Sequence, residues 1–98
     1  MICLTEEQFA IIADILRQNV PNKKIIVFGS RVNGVVKQFS DLDLCIIGDD
    51  PLSSIESANL TEAFSESNLP FRVDIVDWAT ISLEFRKIIM QHGEFFLV

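Results

Sequence analysis

The sequence is short of positive charge. Eight lysines and arginines stand against fourteen aspartates and glutamates, for a net charge of −6. Direct nucleic-acid binding is therefore not expected, because it needs a basic surface that neutralises phosphates. No stretch combines basic and aromatic residues as a single-strand site would. Cysteine is also scarce: Cys3 and Cys45 form no CxxC spacing, which suits a reduced, cytoplasmic protein. No apolar run approaches the length of a membrane span. The N-terminus lacks the basic, apolar, small-residue order of an export signal. Neither GxxxxGK[ST] nor GxGxxG occurs, so the two common glycine-rich phosphate loops are excluded. Repeats, linkers and low-complexity segments are missing too.

What is present is a generous apolar fraction, 49% of 98 residues. That suits one globular domain over residues 1–98, with some apolar surface left for a partner chain. A metal or a basic partner fits the acidic balance, although a solvated acidic face is its commonest use.

Helical and extended segments alternate. Thr5 and Gln8 form a capping box ahead of a helix over Thr5–Arg17, with Phe9, Ile12, Ala13 and Leu16 on one face. "KIIVF", residues 24–28, reads as a short buried strand stopped by Gly29 and Ser30. Arg31 to Val35 suits a turn of helix with Gly34 as a left-handed exit, and 37–40 a polar loop. "LDLCII", 42–47, is a second strand. Ser53 and Glu56 cap a helix running to about Ser67, and Phe71 to Val76 forms a third strand. A last amphipathic helix carries Ile81, Phe85, Ile88 and Ile89 and stops at Gly93. The apolar ending "EFFLV" is a short strand or a docked tail. The expected class is α/β (α+β), a small mixed β-sheet flanked by helices.

The stretch "GSRVNGVVKQFSDLDL", 29–44, concentrates the unusual chemistry. On a strand, Asp41 and Asp43 share one face roughly 6.5–7 Å apart, at about 3.3 Å per residue. Leu42, Leu44 and Ile46 then face the core. Two such carboxylates repel, and each resists ionising. A divalent cation reverses this, and oxygen-only ligands suit Mg²⁺ or Mn²⁺ rather than zinc. Asp74 is the candidate third acid, because it lies inside an apolar strand between Val73 and Ile75. Asp77 is better placed as a helix cap. A DxD alone is a weak signal, since strand ends carry aspartates for turns and solubility. The Gly29–Ser30 turn strengthens it. A strand-to-helix turn aims backbone amides outward as an anion site, so turn and acids together suit a metal–triphosphate.

These residues carry a resemblance. "GS" followed by "SDLDL", with a later "VDIVDW", resembles the nucleotidyltransferase signature of the DNA polymerase β superfamily and, within it, the minimal nucleotidyltransferases. The resemblance implies a polymerase-β-type nucleotidyltransferase fold and two divalent ions, Mg²⁺ or Mn²⁺, on Asp41, Asp43 and Asp74. It implies an NTP, ATP by preference, whose β- and γ-phosphates rest on Gly29 and Ser30. Arg31 is expected near the phosphates or packed over the turn, and Ser40 as a loop anchor ahead of the acids. It further implies a small helical partner of the HEPN type or of the related substrate-binding family, in some cases as a toxin–antitoxin pair. Two functions follow: transfer of an NMP group to an acceptor hydroxyl on or presented by that partner, or a non-catalytic antitoxin that neutralises it by occlusion.

No stretch accounts for an acceptor site. The last helix and the tail 95–98 are candidate contact surface, or else they complete the chain's own core. His92 suits a helix end, Cys45 a buried position, Trp78 a helix start, and Lys37 a solvated loop.

Overall fold

The structure is a computed structural model, and it describes residues 2–33 and 39–96. Expectations for Gly34, Val35, Lys37 and the end of the tail fall outside these residues.

Helix α1 spans Glu6–Asn19. Thr5 Oγ1 accepts from the Gln8 amide at 3.1 Å and Gln8 Oε1 accepts from the Thr5 amide at 3.0 Å, so the expected capping box is complete. The helix runs two residues beyond the expected end. Asn19 donates to the Ile15 carbonyl at 2.8 Å, which satisfies the last turn before Pro21 forces an exit. The Ser53–Glu56 box opens α3, Ser54–Ser65, in the same way.

Strands β1 (Lys24–Phe28), β2 (Leu42–Ile47), β3 (Val73–Asp77) and β4 (Glu94–Phe96) form one sheet in the order β3-β2-β1-β4. β1 is antiparallel to β2 and β4, while β2 and β3 are parallel. Parallel neighbours need a crossover, which α3 supplies. Between β1 and β2 lies one helical turn, α2 (Ser30–Asn33).

Strand alternation sorts the side chains onto two faces. Ile25 and Val27 of β1 and Leu42, Leu44 and Ile46 of β2 join Ile12, Leu16, Leu60 and Phe64 from α1 and α3 in the main core. Ile26 and Cys45 face the other way, with Ile89 of α4 (Leu83–His92) and the flanking Phe28, Val76, Trp78 and Phe85. Phe9 stacks on Phe96 with ring centroids 4.3 Å apart. The ending is thus a strand at its start. Phe96 completes the core, while Phe95 remains about half exposed, as do Ile88 and Met90 of α4.

Two boundaries differ from expectation. β3 begins at Val73, two residues later than expected: Phe71 is buried ahead of it, and the Arg72 carbonyl accepts from the Leu42 amide at 2.9 Å. α4 starts only at Leu83, capped by Ser82, so Ile81 precedes the helix, and Gly93 ends it as expected, with φ −86°. Its glycine is required by space: a Cβ would collide with Ile26 Cγ2 and lie 2.6 Å from the Ile89 carbonyl oxygen.

Candidate active site

The C-terminal end of β1 and the N-terminal ends of β2 and β3 meet at one rim of the sheet. Registration does the placing. Phe28 sits across from Asp43 on the antiparallel pair, and Asp43 lies level with Asp74 on the parallel pair. Leu42, Leu44, Val73 and Ile75 belong to or pack on the main core, so alternation turns Asp43 and Asp74 together to the opposite face. Asp41 stands one residue before β2 at the same rim.

Gly29 follows Phe28 with φ +83°, the left-handed region that a glycine enters without penalty. It also lies hard against Asp43. A Cβ here would collide with Asp43 Oδ2 and sit 3.3 Å from its Cγ. The turn and the second acid of the DxD are therefore in direct contact. Ser30 opens α2, whose first amides have no preceding turn to accept them. The Val32 amide is taken by the Gly29 carbonyl at 3.1 Å. One turn of helix carries little macrodipole, so any anion affinity rests on these amides and the Ser30 hydroxyl.

The neighbouring carboxylates act on Asp43. Burial comes first, then the charges of Asp74 and Asp41, and together they push the Asp43 carboxyl above its ordinary range. Arg72 opposes this: its Nη2 lies 3.5 Å from Asp41 Oδ2 and its Nε 3.3 Å from Asp74 Oδ1. Asp41, Asp43 and Asp74 offer hard carboxylate oxygens, which fit Mg²⁺ or Mn²⁺. Among the described residues, no three potential ligands already surround a single point, and Arg72 is the group that spans two of them.

Arg31 is expected near the phosphates or packed over the turn. It is only 4% exposed. Nε donates to the Ser40 carbonyl at 2.9 Å and Nη1 to the Cys3 carbonyl at 3.0 Å. Its guanidinium lies 3.9 Å from the centroid of the Phe71 ring. Arg31 thus ties the turn to the residue ahead of Asp41. Ser40 is an anchor, through that carbonyl. Asp77 caps the 3-10 turn Trp78–Thr80 by accepting from the Ala79 amide, and also accepts from Leu52 N at 2.7 Å.

Arg72 was not singled out by the sequence reading. The signal was present: it stands two residues before Asp74, the spacing that puts extended residues on one face.

Residues 11–97 match the family described as "Polymerase beta, Nucleotidyltransferase". The "probable protein adenylyltransferase MntA" of Haemophilus influenzae is 52% identical over 86 residues, covering 88% of this chain and 75% of that protein. Among solved structures, a toxin–antitoxin with AMP-PNP is similar at 28% identity and TM-score 0.75, covering 91% of this chain and 72% of the other. A second, a tri-AMPylated HEPN toxin in complex with an MNT antitoxin from Shewanella oneidensis, is similar at 26% identity and TM-score 0.67, covering 91% and 68%.

Proposed function

Because the chain belongs to the polymerase β nucleotidyltransferase family, we propose that residues 1–98 act as one catalytic domain that transfers AMP from ATP to a hydroxyl on a small helical partner of the HEPN type. The observation that carries this reading is the rim itself. Asp43 is level with Asp74 on a neighbouring strand and packed against the Gly29 turn. The adenylyltransferase name of the 52% identical relative and the AMPylated toxin in a similar structure support the choice of AMP and of a protein acceptor.

Asp41, Asp43 and Asp74 would hold two Mg²⁺ or Mn²⁺ ions. Bound there, the metals supply positive charge that acidifies the acceptor hydroxyl and neutralises the leaving pyrophosphate. The chain's own groups do the rest. Gly29 and Ser30 bind the β- and γ-phosphates through backbone amides and the Ser30 hydroxyl. Gly29 lets the phosphates approach closely because it has no side chain. The Arg31–Ser40 hydrogen bond ties that turn to the residue ahead of Asp41. Asp74 accepts the acceptor's proton as the acceptor oxygen bonds to the α-phosphorus. The bond from the α-phosphorus to the bridging oxygen breaks, and pyrophosphate departs.

The acceptor hydroxyl is taken to come from the partner, so the isolated chain is expected to transfer weakly. The test is co-expression with the HEPN-type partner and intact mass spectrometry. Added AMP on the partner, lost with Asp43→Asn and Asp74→Asn, supports the reading. A partner that is bound and neutralised without any added mass favours occlusion instead.

A further inference from the structure

We infer that Arg72 is a positioning residue that occupies the gap between Asp41 and Asp74 as a built-in counter-cation, and that a divalent ion must displace it to bind. The inference rests on the proposed carboxylate site and deepens it.

Three observations carry it. The guanidinium reaches both acids at once, with Nη2 3.5 Å from Asp41 Oδ2 and 3.3 Å from Asp74 Oδ2, and Nε 3.3 Å from Asp74 Oδ1. It faces Asp74 as a fork, a geometry that a guanidinium achieves and an ammonium does not. Its side chain is 73% exposed, so it is held by these acids and not by packing, and it can swing away. Exposed pairs of this kind are weak, which suits a group that must yield to a metal. The backbone of Arg72 is held separately, its carbonyl accepting from Leu42 N at 2.9 Å. Changing the side chain therefore leaves the strand pairing intact.

Without such a group, Asp41, Asp43 and Asp74 would face one another with no positive charge among them. With it, a guanidinium lies between Asp41 and Asp74, in the space a metal would need.

The experiment is calorimetric titration of Mn²⁺ into the wild-type chain, Arg72→Gln and Arg72→Lys, each purified with chelator and checked for unchanged circular dichroism. The expected result is tighter Mn²⁺ binding by Arg72→Gln, roughly three- to tenfold, in keeping with the loss of two exposed pairs. Arg72→Lys should also bind Mn²⁺ more tightly than wild type, because an ammonium keeps the charge but cannot span both acids. If Arg72→Lys matches wild type while Arg72→Gln binds more tightly, charge alone is responsible and the bridging role is overturned. Unchanged or weaker binding in both variants overturns the inference while leaving the metal site standing. No Mn²⁺ binding by any of the three removes the site as well.

Discussion

Gly29 lies against the carboxylate of Asp43 so closely that a single added carbon would strike Oδ2. The contact joins the Gly29 turn to the acid pair. Gly29→Ala must therefore do two things: place an L side chain at φ +83° and push Asp43 aside. The first costs about 1 kcal/mol or more. The second falls on a side chain free to move, so activity should suffer beyond what the stability loss explains. Urea melts beside AMP-transfer assays would show a small shift of midpoint and a large loss of rate.

Asp43 also predicts a pH dependence. Its carboxyl is raised by burial and by Asp74 and Asp41, so the native chain holds that proton more tightly than the unfolded chain does. Between the ordinary carboxylate range and the raised value, stability contributed by this group falls as pH rises. In metal-free buffer, Asp43→Asn should flatten that part of the stability–pH curve and melt no lower than wild type near neutrality. Transfer should fall roughly a hundredfold or more. Thermal melts from acid to neutral pH, read beside initial rates, check both.

Arg31 makes the opposite prediction. It is buried, donates to Ser40 and Cys3 carbonyls and stacks on Phe71. Arg31→Met keeps the bulk and removes the donors, at an expected cost of about 2–3 kcal/mol. Nucleotide affinity measured well below the melting temperature should change less than stability does. A phosphate contact would reverse that ranking.

The thiols should separate cleanly. Cys3 is exposed, whereas Cys45 is fully buried and its thiol is pushed up to about 11, by burial first and then by the charge of Asp77. Neutral-pH labelling with a disulfide reagent should titrate one thiol quickly in the native chain and the second only on unfolding.

These contrasts mark what could be read in the sequence. Both capping boxes, the inward leucines of "LDLCII" and the capping role of Asp77 rest on rules that span three or four residues, and each is present in the structure. Arg31 and Arg72 depend on partners much farther along the chain. Arg31 reaches back 28 residues to Cys3, and Arg72 reaches 31 to Asp41. The i, i+2 spacing places Arg72 beside Asp74, but no local pattern encodes the reach to Asp41 or to Cys3, and a long flexible side chain has many places to go. Strand order was equally hidden, because the pairing of β4 with β1 depends on how α4 packs.

The sheet has an acidic rim and an opposite one. β2 starts among the acids and runs away from them, so the turn from Gly48 to Pro51 emerges at the far end before α3 brings the chain back. That far turn is a permissive graft point. A fluorophore or short epitope placed between Gly48 and Pro51 would ride on the molecule without crowding Asp41, Asp43 or Asp74. A residue added between Phe71 and Asp74 would instead rotate the third acid into the hydrocarbon side of the sheet.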